Sequence, residues 1–102
     1  MATSDRSAPA PLRERPAWQA LEAHRAELGD VDLRALFAAD PDRGERLALT
    51  AQGLYLDYSK SLTSDVTFEL LIALAEECGI HERTRAMFSG ERINTTEDRA
   101  VL

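Results

Sequence analysis

Leu47-Ala-Leu-Thr-Ala-Gln-Gly-Leu-Tyr-Leu-Asp-Tyr58 decides how this chain is read, because its apolar residues recur at every second position on both sides of one turn signal. Leu47, Leu49 and Ala51 alternate with Ala48 and Thr50, while Leu54, Leu56 and Tyr58 alternate with Tyr55 and Asp57. Period two belongs to a strand, whose successive side chains point to opposite faces. Gln52-Gly53 supplies a two-residue turn, and its glycine accepts the positive φ that such a turn demands. The stretch therefore predicts a β-hairpin in which Arg46 to Ala51 pairs antiparallel with Leu54 to Tyr58 and turns one apolar face inward.

On either side the period changes to that of a helix. Toward the amino terminus, Ser7-Ala-Pro-Ala-Pro11 reads as a proline-rich lead-in, so residues 1–16 are expected to form a flexible arm. Pro16 suits the first helical position, Trp18, Leu21, Arg25 and Leu28 mark one stripe, and Gly29 suits the exit, which predicts a helix over Pro16 to Leu28. Asp30 is expected to cap a short second helix carrying Leu33, Leu36 and Phe37, stopped at Asp40-Pro41 and followed by a loop, Pro41 to Gly44.

Toward the carboxyl terminus, Ser59 to Thr63 reads as a polar loop and Ser64 or Asp65 as a cap. Val66, Leu70, Leu71, Leu74, Ala75 and Cys78 then form a broad apolar face ending at Gly79. Ile80 to Phe88 predicts a further helix with Ile80, Thr84, Met87 and Phe88 on one side, ended by Gly90. Asn94, Thr95 and Thr96 are good caps, Glu97 and Asp98 suit the positive end of a helix, and Ala100-Val-Leu102 opens an apolar run. A helix is expected to begin there, too short to hold itself together, with a frayed end. The local reading is α+β, with several short helices around one hairpin.

Composition excludes several functions. The 102 residues carry 18 acidic and 12 basic side chains, a net charge of −6, and the basic ones are dispersed singly, which disfavours binding to nucleic acid through phosphate neutralisation. A single cysteine, Cys78, allows neither an internal disulfide nor a multi-cysteine zinc site. No apolar run approaches the length of a membrane span, and the first residues lack the apolar stretch of a signal peptide, so the cytoplasm is the expected location.

Chemistry-bearing residues are sparse. Ser59-Lys-Ser-Leu-Thr-Ser64 precedes a helix, where hydroxyls, a lysine and free backbone N–H groups are able to hold a phosphate. Ser64 already has a simpler role as a cap, no glycine-rich loop lets the backbone close on a phosphate, and Lys60 reads as a solvated residue past a strand. His24 is expected on a helix surface and His81 at a helix start, too few ligands and too far apart for a metal. Cys78 reads as a buried thiol at a helix end. Trp18 with Leu21 reads as core rather than as a partner anchor, and Asn94 to Glu97 as a cap. No residue is assigned a catalytic, substrate-binding or metal-binding role, and no cofactor is expected.

Wording adds what spacing does not. Met87-Phe-Ser-Gly-Glu-Arg-Ile-Asn-Thr-Thr-Glu-Asp-Arg-Ala-Val-Leu102 closely resembles a segment of the glucose-6-phosphate isomerase family, written M-F-x-G-E-[KR]-I-N-x-T-E-x-R-A-V-L-H. Ala17-Trp-Gln-Ala-Leu-Glu-Ala-His24, Asp32-Leu-Arg-Ala-Leu-Phe37 and Asp57-Tyr-Ser-Lys60 recur in that family in the same order. The resemblance covers roughly residues 17–102, within a few residues. It implies an incomplete amino-terminal segment of a larger α/β protein with two sugar-isomerase-type sheet domains.

The family's reaction is a metal-independent proton transfer between C1 and C2 of an opened sugar phosphate through an enediol, with a Glu as base and a His assisting ring opening. Those residues and the phosphate-binding loop are implied to lie beyond Leu102, and the complete enzyme is implied to be a cytosolic homodimer of glycolysis and gluconeogenesis. Alone, the segment is expected to be inactive. The competing reading is a small acidic helical module that folds by itself and binds a partner through an apolar helix face.

Overall fold

The computed structural model describes residues 10–101. A 3-10 turn over Leu12–Glu14 leads into α1, Pro16–Leu28, so the last part of the expected arm is structured and the first nine residues lie outside those described. α1 has the predicted bounds, with Pro16 in its first turn and Gly29 leaving it at φ 56°. α2 spans Leu33–Ala39, and its cap is Asp32, whose carboxylate accepts from the Arg34 N–H at 3.1 Å. The expected cap, Asp30, lies two residues too early to reach those N–H groups once Leu33 opens the helix.

A single helical turn, α3 at Arg43–Arg46, replaces the expected loop and delays the first strand. β1 covers Ala48–Ala51 and β2 covers Leu54–Asp57, antiparallel, with Leu49 opposite Leu56 and Ala51 opposite Leu54. Arg46 and Leu47 belong to the turn that precedes the strand, although the Tyr58 N–H still donates to the Leu47 carbonyl at 3.0 Å. Gln52 and Gly53 both have positive φ, 52° and 76°, the left-handed pair of a tight hairpin turn whose twist matches the strands. The hairpin forms as expected, but its apolar face does not turn inward: every residue of β2 is exposed.

α4, Asp65–Glu77, and α5, Ile80–Phe88, complete the regular elements, separated by Gly79 at φ 71°. Ser64 precedes α4 in a capping box with Thr67. α1 and α4 pack antiparallel, as two pairs fix: Ala17 with Glu77 at one end and His24 with Thr67 at the other. The expected helix faces are borne out in part: Trp18, Leu21 and Leu28 on α1, and Leu70, Leu74, Ala75 and Cys78 along α4, are half-buried. On α1 the buried residue is His24, while Arg25 is exposed; on α4 it is Thr67, while Val66 and Leu71 are exposed. On α5 Ala86 and Met87 are half-buried, and Ile80 and Phe88 are exposed.

Among the described residues no helix forms after Thr96, where the expected one was too short to hold itself together. Asn94 and Arg99 instead form an isolated antiparallel bridge, each N–H donating to the other's carbonyl, around a turn in which Asp98 has φ 51°. Asn94 is a capping residue as its type suggests, yet it caps a turn: its Oδ1 accepts from the Thr96 hydroxyl at 2.9 Å and the Glu97 N–H at 3.3 Å. Local side-chain bonds of this kind compete with helix nucleation, whose first turn is costly. Val101 is exposed, and Leu102 lies outside the described residues.

Among the described residues Leu47, 5% exposed, is the one buried apolar side chain. The radius of gyration is 18.1 Å, against about 13 Å for a compact domain of this length.

Candidate functional site

Polar residues gather where the hairpin hands over to α4, and Arg43 sits at their centre. It is 3% exposed. Its Nε donates to the Ser59 carbonyl and its Nη2 to the Ser61 carbonyl, both at 2.7 Å, while the guanidinium lies 5.8 Å from the centroid of the Phe37 ring. Two carbonyl dipoles and a ring face thus compensate a buried charge. The geometry exists because α3 turns Arg43 back under the loop, and a lone arginine in a Pro-Asp-Arg-Gly stretch carries no sequence signal for burial.

Asp57 ends β2 by accepting from two groups of one residue. Its Oδ1 takes the Ser59 N–H at 2.9 Å and the Ser59 hydroxyl at 2.7 Å. The hydroxyl first, the N–H second and the Lys60 charge last hold the Asp57 carboxyl below its ordinary pKa. Ser59 is thereby buried with both donors used, and its carbonyl goes to Arg43.

One helical turn further on, His24 Nε2 and Thr67 Oγ1 share a hydrogen bond of 2.6 Å. Thr67 Oγ1 also accepts from the Ser64 N–H at 3.0 Å. His24 is therefore a buried bridge from α1 to the start of α4, not the helix-surface residue its sequence position suggested: a histidine in an alanine-rich helix shows no partner until the second helix is placed. His81 is exposed in the first turn of α5, as expected. Cys78 caps the end of α4 as a free, half-buried thiol rather than a buried one.

Arg46 lies at the surface of the same junction. It donates twice to Asp40 Oδ2, at 2.6 and 2.9 Å, and once to Asp65 Oδ1 at 3.1 Å, tying the end of α2 to the start of α4. The Arg46 hydrogen bond is the main cause that lowers the Asp40 pKa.

This arrangement braces backbone. Of the groups that made Ser59 to Ser64 a phosphate candidate, the Ser59 donors and the Ser64 N–H are committed internally, and Thr63 Oγ1 is buried without a partner. Lys60 is exposed beyond the brace. Among the described residues no three His, Cys, Asp or Glu side chains are grouped to hold a metal ion.

Fold and junction together define a small α+β unit: two antiparallel helices and a hairpin locked by a polar brace, with little apolar surface buried. Comparison with known proteins relates it to one family. The phosphoglucose isomerase family model matches residues 57–102. The glucose-6-phosphate isomerase of Gloeobacter violaceus is 60% identical over 95 residues, covering 93% of this chain and 17% of the relative. That of Deinococcus deserti is 61% identical over 93 residues, covering 91% and 17%, and that of Nitrosospira multiformis 60% identical over 92, covering 90% and 17%. The chain is thus related to the glucose-6-phosphate isomerase family and aligns with an amino-terminal segment of its members. It spans about one sixth of the length of these curated relatives. No helix among the described residues is long and apolar enough to cross a membrane.

Proposed function

We propose that this chain serves as the amino-terminal segment of a glucose-6-phosphate isomerase, which interconverts glucose 6-phosphate and fructose 6-phosphate. The observation that carries the reading is identity near 60% along nine tenths of the chain to proteins bearing that name. Isomerisation through an enediol needs a carboxylate and a proton donor converging on the sugar. The junction offers no such pair, since its buried histidine and carboxylates are engaged in bracing. On this reading the reacting groups belong to polypeptide outside these 102 residues, and the complete enzyme works without a metal, in the cytoplasm, as a homodimer.

The experiment compares two proteins in a glucose 6-phosphate assay. The 102-residue chain alone should show no turnover. The same chain joined ahead of the remaining polypeptide of the Gloeobacter violaceus relative, in place of that relative's own matched segment, should show it. Turnover by the purified chain alone, lost on substituting one of its residues, would sink the reading. The competing interaction module is disfavoured by a single buried apolar residue among those described, because an autonomous domain needs a core.

A further inference from the structure

The hairpin's apolar face is half covered and half bare. Residues directly opposite in an antiparallel pair share a side, so Leu49 and Leu56, with Ala51 and Leu54, stand on one face. At the base of that row Leu47 is buried, and Tyr58 meets the Phe68 ring of α4 edge-on at 5.4 Å between centroids. Toward the tip Leu49, Leu54 and Leu56 are 56, 73 and 56% exposed. The row is continuous with the small core and runs out of it into solvent, and a two-stranded hairpin left in that state is marginal in water.

We infer that the bare part of this face, Leu49, Leu54 and Leu56, is a docking surface for the body of the isomerase, the polypeptide that follows the matched segment in the relatives. The inference rests on the function proposed above. Two observations select this occupant over a second copy of the chain. First, the matched relatives extend well beyond the segment, which is 17% of their length, so on the proposed function a large body accompanies it. Second, the chain exposes 8222 Å², roughly 2,500 Å² more than a folded monomer of its size, where a standard interface takes about 800 Å² per partner. The exposed apolar residues are also spread over separate elements, with Ile72 on α4 and Phe88 at the end of α5. Two-fold pairing through one self-complementary patch leaves most of that surface uncovered.

The test uses the free chain and the hybrid with the Gloeobacter violaceus body, each carrying Leu56→Glu or Thr50→Glu. Both positions are exposed in the free chain and lie on opposite faces of the hairpin, so neither substitution should change its circular dichroism. In the hybrid Leu56→Glu should lower the unfolding temperature by roughly 2 °C or more, while Thr50→Glu leaves it unchanged. A Leu56→Glu hybrid that fails to fold beside a folded Thr50→Glu hybrid counts as the same result. Equal responses of the two hybrids overturn the inference, as does an unsubstituted hybrid that does not fold. Dimerisation of the free chain that Leu56→Glu abolishes overturns the choice of occupant. An active hybrid indifferent to Leu56→Glu removes the docking surface and leaves the proposed function standing; an inactive hybrid destabilised by Leu56→Glu does the reverse.

Discussion

Replacing Arg43 with methionine should loosen the loop between the hairpin and α4 while leaving the helices in place. The substitution keeps an unbranched side chain under the loop but removes both donors, and with them the 2.7 Å bonds to the Ser59 and Ser61 carbonyls. A hydrogen bond from a charged donor contributes about 1.5–3 kcal/mol net, and carbonyls left without a partner add to the loss. Against this, methionine removes the cost of burying the guanidinium, so the balance is about 2–4 kcal/mol. Since each 1.4 kcal/mol is tenfold, amide exchange across residues 58–63 should accelerate roughly 30- to 1000-fold where local opening governs it. Protection in the middle of α4 provides the internal reference. Arg43→Lys, which keeps the charge but not the fork, should fall between the two. Loop exchange unchanged within about threefold in Arg43→Met, relative to α4, would refute the idea that Arg43 organises the junction.

Thr67→Val should destabilise the α1–α4 contact by about 1–3 kcal/mol, because it leaves His24 Nε2 and the Ser64 N–H unpaired; a double-mutant cycle with His24→Leu, read by urea unfolding, should return a coupling well above zero. Asp57 has its pKa lowered in the folded chain, so its contribution is complete above the unfolded value of about 3.9 and is lost as pH falls through the depressed native value. Acidification through that window should release the Ser59 N–H in amide NMR, and Asp57→Asn should flatten the dependence. Gln52 adopts φ 52° with a side chain, so Gln52→Gly should strengthen the hairpin by a few tenths of a kcal/mol to about 1, seen as slower exchange at the Ala51–Leu54 pair.

Several elements were readable because local chemistry alone selects them. α1 and α5 have the expected bounds, since Pro16, Gly29 and Gly90 act within one turn of the backbone they terminate. The turn at Gln52-Gly53 likewise needs nothing beyond its own dihedrals. What sequence spacing missed depends on partners far along the chain. His24 looked like a surface residue because its partner Thr67 lies 43 residues away, and Arg43 looked like loop because its acceptors are backbone carbonyls 16 and 18 residues on. The tail after Gly90 failed differently: Asn94 has the right chemistry for a cap, but the nearest groups able to use it were those of its own turn.

One of the short motifs shared with the family is also one that the junction uses up. In Asp57-Tyr-Ser-Lys60, Asp57 fixes Ser59, Tyr58 meets Phe68, and Ser59 turns its carbonyl to Arg43. Those interactions need that order of residue types: a short carboxylate two positions before a hydroxyl, with an aromatic ring between them facing α4. Only Lys60 in the motif stands outside the brace. A phosphate placed on this loop would have to displace Ser59 from Asp57, exchanging two hydrogen bonds inside the fold for contacts at the surface, and it would bring its charge toward the Asp57 carboxylate. Bracing alone therefore accounts for Asp57, Tyr58 and Ser59. The motif shapes the junction, and that junction joins the end of β2 to the start of α4.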